Sequence, residues 1–512
     1  MGSTPIHSRS QEVCLNYKQK LFPGILFIAI AMIFSACMSS ETVSPAEAPN
    51  EATISAVVDE IETALPTAES TIAVPTIEST VERLIAEPTI EPTATEQPVI
   101  KSINQAQIDA LNGLTISLRH PFYQNLEKFE ALIEDFNLTN PWGFNVITID
   151  GGGLPGVAAS LGEESFADNL VIASAVDISE AQPKRDFIAL DDFALDPEYG
   201  LQEVFEVDSA FVDFQPSFGE ELHYEIPLAY NTGILLFNTS WAQELGFPEL
   251  PKTQEDLLAV AQAARLANLA DSSIANDNYG GIWLSRTALS AQNWYQAFGG
   301  RFDFEGEAFT PQAEPMLNSF NFLKNTFLLS NSWGSIEKYP FRYFSDRMAV
   351  IAESDLTGLP EQAAYQQTGA FQDDFTALSY PATDGKGSLV LEAISFAIPK
   401  ANEESELAAW LFASWLMEPA QQAKLVEIHG LWPSIGNPEK IAPQYTAEHP
   451  AWTAALANQP ELSLEPEVAD WAWIRLLFQD AYERVYNLDA SAFPRIIEVF
   501  EQSSRINREQ RP

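Results

Sequence analysis

The chain has 512 residues, enough for an N-terminal appendage and a body of two or three domains at about 150 residues per domain. Its 27 basic and 72 acidic residues give a net charge of −45, which excludes the clustered cations that nucleic-acid binding requires. The two cysteines, Cys14 and Cys37, exclude a disulfide framework and a cysteine-rich zinc site.

The N-terminus has the pattern of an export signal. Basic residues precede a charge-free apolar stretch at residues 21–36, which is shorter than the about 20 residues that a membrane-spanning helix needs. Ser35-Ala36-Cys37 resembles the lipobox of bacterial lipoproteins, although Phe34 stands where a leucine is usual. We predict a lipoprotein signal peptide over residues 1–36 and lipidation of Cys37. The alternatives are an ordinary signal with an incidental cysteine, or an uncleaved anchor.

Residues 37–112 read as a disordered tether. As far as residue 100 this segment is rich in Pro, Thr and Glu, with near-repeats of PTIE and Arg83 as its single base. Such a composition cannot bury enough apolar surface to offset the entropy of ordering. We expect a lipid-anchored spacer between the membrane and the body.

The body shows alternating strand and helix patterns. LTISL at residues 114–118 predicts a strand, residues 124–138 a helix, and FNVITID and NLVIAS two further strands around a glycine-rich turn, GGGLPG. This alternation predicts an α/β fold with a parallel sheet. Further on, IPLAYNTGILLFN predicts a long extended segment, Thr253 caps a helix, and a helix pair ends at Gly430.

Four stretches in the same order resemble the extracellular solute-binding proteins, family 1, which deliver ligands to ABC importers. They begin IPLAYNTGILLFN, NWYQAFGGRF, YFSDRMAVIAES and AISFAIPKANEESELAAW. The resemblance implies a two-lobed periplasmic-binding-protein-like fold with a hinge and an interlobe cleft. It implies lobe one at 113–228 plus 346–390, lobe two at 229–345 plus 391–512, and crossings near 226–230, 344–350 and 393–398.

Candidate ligand-binding residues come from strand ends, aromatic residues and departures from the family pattern. Ligands collect at the carboxyl ends of parallel strands, and sugars stack on aromatic rings while amides and carboxylates bind their hydroxyl groups. For each tryptophan the alternative is core packing, and for each carboxylate a solvated loop. The carboxylates also suit a cationic ligand such as a polyamine, and Asn231 has the alternative of satisfying hinge backbone. The predicted set is Arg119, His120, Phe122, Tyr230, Asn231, Trp283, Trp294, Glu353, Asp355, Glu392 and Trp432.

The sequence shows no catalytic constellation. The five histidines form no H-E-x-x-H pair, and G-x-S-x-G is missing from the sequence, so we predict no metal, no cofactor and no enzyme. We predict a monomeric, lipid-anchored protein on the extracellular or periplasmic side of the membrane, which captures a carbohydrate by hinge closure and delivers it to the transmembrane subunits of an ABC permease. The alternatives are a surface-anchored hydrolase of oligosaccharides and a sensory binding protein without a permease.

Overall fold

The computed structural model describes residues 102–201, 209–219, 222–302, 308–335, 337–383 and 385–510. These residues belong to one compact unit, Ala94–Pro512. The predicted signal peptide, Cys37 and the spacer up to residue 101 lie outside the described residues. Within the described part, no helix combines the length and apolar character needed to cross a membrane.

The strands of the described residues form one mixed sheet. In spatial order its main path is β2-β1-β3-β9-β4-β7-β5-β6, with β8 and β10 also paired to β4 and β11 to β9. The strands are β1 (Thr115–His120), β2 (Asn145–Asp150), β3 (Leu170–Ser174), β4 (Ile226–Asn238), β5 (Gly280–Leu284), β6 (Ser332–Gly334), β7 (Ala349–Asp355), β8 (Phe375–Leu378), β9 (Ser388–Ala397), β10 (Trp432–Pro433) and β11 (Glu461–Leu464).

Helices cover the sheet. The helices are α1 (Gln105–Asp109), α2 (Leu126–Thr139), α3 (Leu154–Leu161), α4 (Ala175–Ala181), α5 (Asp191–Ala194), α6 (Thr239–Glu244), α7 (Gln254–Ala270), α8 (Ala288–Ala297), α9 (Ala313–Leu328), α10 (Phe341–Ser345), α11 (Leu359–Thr368), α12 (Glu403–Leu416), α13 (Pro419–His429), α14 (Pro438–Ile441), α15 (Pro443–Glu448), α16 (Ala451–Ala454), α17 (Trp471–Asn487) and α18 (Phe493–Gln510).

Strand β4 joins the two halves of the sheet. It is buried along its whole length, which suits the near-continuous apolar run in its sequence. Its first part pairs antiparallel with β9, and its second part pairs with β7. The parallel set β2-β1-β3 therefore lies on one side of β4 and β9, and the parallel set β7-β5-β6 lies on the other.

Two large hydrophobic clusters pack against the sheet, and the first of them extends from one half of the sheet into the other. One contains apolar residues of β1, β2, α2, α12 and α13, and the other contains those of β5, α7, α9, α17 and α18. In the second part of β4, Ile234 and Leu236 join the first cluster, whereas Leu235 and Phe237, on the opposite face, join the second. The fold is thus the predicted two-lobed α/β architecture, with β4 shared between both cores.

The strongest sequence patterns are confirmed. The predicted strands correspond to β1, β2 and β3, and the long extended segment is β4. Thr253 caps α7 in a capping box with Asp256, because its side chain accepts from the Asp256 N–H and the Asp256 carboxylate accepts from the Thr253 N–H. Gly430 ends α13 in the left-handed conformation at φ 69°, which a glycine adopts without strain.

The folded body begins before the predicted end of the tether. Asn104 caps α1 and Gln107 completes a capping box, while Ile108 and Leu111 are buried in the first cluster. The Ile103 N–H also donates to Asp196 Oδ2 at 2.8 Å. Residues 102–112 are therefore ordered, because two apolar side chains at helical spacing reach the core.

Two segments lie elsewhere than the predicted lobe boundaries place them. Residues 346–390 were expected in lobe one, yet β7 pairs in parallel with β5 of the other half. The start of the segment 391–512 was expected in lobe two, yet α12 packs on β1 and α13 on α2. The predicted crossing at 344–350 covers the end of α10 and the start of β7. Strand β11, which belongs to the segment expected in lobe two, runs parallel to β9.

Candidate ligand-binding cleft

A cavity of about 360 Å³ lies between the two halves of the sheet. Its floor is formed by Asn231 on β4 and Ile394 on β9. We call the residues on the β1 side the first wall and those on the β5 side the second wall. The first wall consists of residues 121–125 and 152–155, with Ile428, His429 and Leu431. The second wall consists of Lys338, Tyr339 and Thr357.

Both walls are built at the carboxyl ends of parallel strands. Residues 121–125 and 152–155 follow the parallel pair β1 and β2. The second wall follows β6 and β7, which both run parallel to β5. Strand-end loops from both halves therefore converge on one cavity, as ligand sites of open α/β sheets do.

The glycine-rich turn forms part of the first wall. Gly152 and Gly153 have φ angles of 71° and 88°, which residues with a Cβ rarely adopt. A Cβ on Gly153 would also lie only 3.1 Å from Cε1 of Tyr123. The three glycines at 151–153 thus form the predicted turn, whereas residues 154–156 begin α3, and the glycines let the backbone approach Tyr123 beside it.

Aromatic rings line both walls. The Phe122 ring stacks on the His429 ring with centroids 5.0 Å apart, and it meets the Phe129 ring edge-on at 5.0 Å. On the second wall, the Tyr339 ring stacks on Phe341 at 5.0 Å. These contacts hold the rings rigidly, so each wall offers an apolar surface that does not need to be ordered by the ligand.

His429 lines the cavity with a neutral ring. Its Nδ1 accepts from the Leu431 N–H at 3.0 Å, so in the neutral ring the proton is on Nε2. Burial lowers the pKa of His429 to about 3, which keeps the ring neutral. Nε2 has no hydrogen-bond partner within the described part of the chain.

Asn231 brings an acceptor to the floor. Its Nδ2 donates to Glu392 Oε2 at 3.2 Å, while Oδ1 has no partner among the described residues. The residue is only 6% exposed, and buried polar atoms of this kind are normally satisfied. Asn231 and His429 are thus two lining residues with one unpaired acceptor and one unpaired donor, which is the combination a hydroxyl group can satisfy.

Asp355 lies behind the second wall and contacts all three of its residues. Its carboxylate lies 3.3 Å from Lys338 Nζ and accepts from the Tyr339 hydroxyl at 3.3 Å and the Thr357 hydroxyl at 2.5 Å. Burial opposes the charge on Lys338, but the adjacent Asp355 raises the pKa of the ammonium above its ordinary value. Burial together with Asp355 raises the pKa of Tyr339 to about 12. Among the described residues that line the cavity, Lys338 alone is charged at neutral pH.

Of the predicted site residues, the structure places Phe122 and Asn231 on the cavity. Arg119 and His120 lie in β1, just behind the first wall. The Arg119 Nε forms an ion pair with Asp168 at 2.6 Å, and His120 Nδ1 accepts from the Phe122 N–H at 3.2 Å. Burial lowers the pKa of His120 to about 4. His120 supports the loop that carries Phe122, Arg119 is paired with Asp168, and neither residue lines the cavity.

The predicted aromatic candidates other than Phe122 are packed in the cores. Trp283, Trp294, Trp432 and Tyr230 are each at most 1% exposed. The indole N–H of Trp294 donates to Glu353 Oε1 at 2.6 Å, and that of Trp432 donates to the Trp452 carbonyl at 2.9 Å. The Tyr230 hydroxyl donates to the Phe214 carbonyl, whereas the Trp283 indole N–H has no partner among the described residues. All four side chains are thus packed inside the protein, as the core-packing alternative describes.

The predicted carboxylates lie one layer behind the cavity surface. Glu353 accepts from Trp294 and from Ser285 N–H at 2.6 Å, and its burial raises the pKa of the carboxyl. Asp355 holds the second wall, and Glu392 holds Asn231. The structure therefore brings these residues close to the site as supports for lining residues.

Sequence reasoning missed His429 and all three lining residues of the second wall. Lys338, Tyr339 and Thr357 carry no local motif, and their relation to the cavity depends on the order of β5, β6 and β7 in the sheet. His429 precedes the helix-ending Gly430, which was recognised only as a stop signal. The rule that ligands gather at strand ends would have selected the second wall had these strands been predicted.

A family model described as bacterial extracellular solute-binding protein matches residues 131–454. The chain belongs to this family. A search of curated proteins finds none that matches. Among solved structures, the solute-binding protein is similar to the cyclic alpha-maltosyl-1,6-maltose binding protein of Arthrobacter globiformis, with TM-score 0.60, 16% identity, and coverage of 77% of this chain and 99% of the other.

Other solved structures share the same fold. The GacH receptor of Streptomyces glaucescens, solved unliganded and with acarbose, has TM-score 0.61 and 13% identity over 78% of this chain and 98% of its own. UgpB of Mycobacterium tuberculosis, solved with glycerophosphocholine, has TM-score 0.60 and 18% identity over 77% and 99%. At these identities the likeness establishes the two-lobed fold of this solute-binding protein.

Proposed function

We propose that this solute-binding protein captures a carbohydrate between the two walls of its cleft and delivers it to an ABC permease. The observation that carries the proposal is the convergence of strand-end loops from both halves of the sheet on one cavity of about 360 Å³. Closure of the lobes about the strands shared between them would enclose the ligand. Carbohydrate ligands named for structural neighbours are consistent with this choice.

The chemistry of the cavity favours a sugar over a polycation. Rigid rings at Phe122 and Tyr339 suit the apolar faces of a sugar, while Asn231 and His429 suit its hydroxyl groups. A polyamine would need carboxylates on the cavity surface. Lys338 is the only charged residue among the described lining residues, and its partner Asp355 lies behind the cavity surface, so this lining offers a polyamine no carboxylate.

A thermal-shift screen followed by calorimetry tests the proposal. The panel contains maltose, maltotriose, glycerophosphocholine, spermidine and amino acids. We expect an oligosaccharide to raise the melting temperature and to bind one-to-one without forming a product. Asn231→Leu should abolish binding, while Leu138→Ala, at a 79% exposed position on α2, should not. Release of shorter sugars would instead support a hydrolase, and stabilisation by spermidine alone would contradict the sugar assignment.

Membrane attachment and delivery need separate tests. We propose that Cys37 carries the lipid, so Cys37→Ala should lose incorporation of labelled fatty acid in cells, and Cys14→Ala should retain it. Acyl label on the Cys37→Ala protein would contradict the lipobox assignment. Sugar uptake that depends on the protein, in vesicles containing a permease, would support delivery, whereas binding without uptake would favour a sensory role.

A further inference from the structure

The amide of Asn231 is held in one orientation by its cross-strand neighbour. Asn231 and Glu392 are directly opposite each other in the antiparallel pair of β4 and β9, so their side chains share a face of the sheet. The Asn231 Nδ2 donates to Glu392 Oε2 at 3.2 Å. An ionised carboxylate only accepts hydrogen bonds, so it selects the NH₂ group of Asn231 and turns Oδ1 away from itself.

A half-buried arginine fixes Glu392 in turn. The Arg475 Nη2 lies 3.1 Å from Glu392 Oε1, so one carboxylate oxygen faces the guanidinium and the other faces Asn231. Arg475 also donates through Nε to Glu465 Oε1 at 2.9 Å, and Gln292 donates to the same oxygen at 2.7 Å. Burial raises the pKa of Glu392, while the Arg475 charge opposes that rise and favours the ionised form.

The other end of the Asn231 amide points to a ligand. Oδ1 is buried, has no hydrogen-bond partner in the described residues, and belongs to a side chain that lines the cavity and is 6% exposed. An acceptor enclosed in this way needs a donor from outside the protein.

We propose that Glu392 and Arg475 are positioning residues that set the hydrogen-bonding direction of Asn231, so that the cavity floor requires a donor group such as a sugar hydroxyl. The identity of the donor rests on the proposed function. The orientation of the amide does not, because it follows from the protein groups alone.

The first experiment needs no ligand. The side-chain ¹⁵NH₂ signals of Asn231 are identified by their loss in Asn231→Leu and are then compared in Glu392→Gln. The Arg475 guanidinium can only donate, so the introduced amide turns its oxygen toward Arg475. Its NH₂ group then faces Asn231, and the Asn231 amide has to flip to present an oxygen. We expect the Asn231 signals to shift in Glu392→Gln and to stay in place in Glu404→Gln, a matched change at an exposed position on α12. Unchanged Asn231 signals in Glu392→Gln would overturn the proposal.

The second experiment uses maltotriose affinity and a rescue. Glu392→Gln should weaken binding about tenfold, because a flipped amide presents a donor where an acceptor is needed, and one misplaced hydrogen bond corresponds to about 1.4 kcal/mol. Asn231→Asp should also bind weakly at neutral pH, because two carboxylates then face each other. The double variant Asn231→Asp/Glu392→Gln should regain affinity, since the introduced amide donates to one oxygen of the introduced carboxylate and leaves the other for the ligand.

The two proposals fail in different ways. If no sugar of the panel binds the unaltered protein, the proposed function is wrong while the NMR comparison still decides the positioning role. If maltotriose binds and the double variant is no better than Asn231→Asp, the positioning role is wrong while the sugar assignment stands. Melting temperatures of all variants identify any loss of affinity that merely reflects unfolding.

Discussion

The first wall of the cleft presents stacked rings and a neutral histidine, whereas the second wall presents Lys338, Tyr339 and Thr357 gathered around Asp355. Both walls follow the carboxyl ends of parallel strands, so the backbone plan is the same. The side chains of the two walls differ in their chemistry. The first wall offers shape and apolar surface, and the second offers polar groups whose charge is already compensated within the wall.

The layers behind the walls differ as well. Phe122 contacts Phe129, which belongs with it to the first apolar cluster, and the buried ring of His120. Behind the second wall, β7 carries Glu353, a buried carboxylate that depends on Trp294 and Ser285 for its hydrogen bonds. We therefore expect substitutions behind the second wall to lower the stability most, and substitutions in the first wall to weaken ligand binding.

The largest effect should come from Trp294→Ala. This change opens a cavity in the second core and removes a donor from buried Glu353, so we expect the free energy of unfolding to fall by about 3 to 5 kcal/mol. Urea denaturation measures the loss, and Trp473→Ala at a 36% exposed position serves as control. Maltotriose affinity of the remaining folded protein should be unchanged. A large affinity loss without a stability loss would place Trp294 in the cleft instead.

Phe122→Ala should mainly affect binding. Loss of this ring removes apolar contact worth about 1 to 3 kcal/mol, or roughly tenfold to hundredfold in the maltotriose dissociation constant. Calorimetry measures the affinity and a melting curve the stability. An unchanged dissociation constant would remove stacking on the first wall from the binding mechanism.

His429 should make stability depend on pH. Its folded-state pKa of about 3 lies below the ordinary 6.5, so the unfolded chain binds the proton more readily. The stabilisation is therefore complete above pH 6.5 and is lost as the pH falls toward 3. Between pH 7.5 and pH 5.5, the unaltered protein should lose about 1.4 kcal/mol more than His429→Gln does. Equal losses in urea denaturation at the two pH values would show that the ring is not held neutral.

The smallest effect should come from Lys338→Met. The Lys338 side chain is 58% exposed and its ion pair with Asp355 is partly solvated, so we expect less than about 1 kcal/mol in stability. Maltotriose affinity should change less than about threefold, because a neutral sugar does not need the charge. Calorimetry at two salt concentrations measures this, and a loss above tenfold would show that the ammonium binds the sugar directly.

Sequence patterns predicted the fold well where the signal is local. Thr253 and Gly430 mark helix ends by their own chemistry, and the apolar run of β4 indicates a buried strand without knowledge of its partners. The capping box of Asn104 and Gln107 was equally local but was hidden by the acidic spacer before it. The lobe boundaries depended on which strands pair, and single-sequence patterns do not contain that information.

The site was less predictable because its residues meet only through the sheet. Phe122 follows from the strand-end rule, and Asn231 from its place where β4 passes between the lobes. Trp294 lies near a glycine-rich segment in the sequence, yet its helix α8 turns it toward the core. Whether an aromatic residue beside a loop faces the solvent or the core depends on helix orientation, which only tertiary packing determines.

The position of both walls at strand ends has a consequence for evolutionary change. Apart from the floor residues Asn231 and Ile394, the lining residues lie outside the strands, so they can be exchanged without altering the register of the sheet. Structures only 13 to 18% identical to this chain keep the same architecture, and their recorded ligands include acarbose and glycerophosphocholine. Substitutions in these loops can therefore change the bound solute while the strands of the sheet stay as they are.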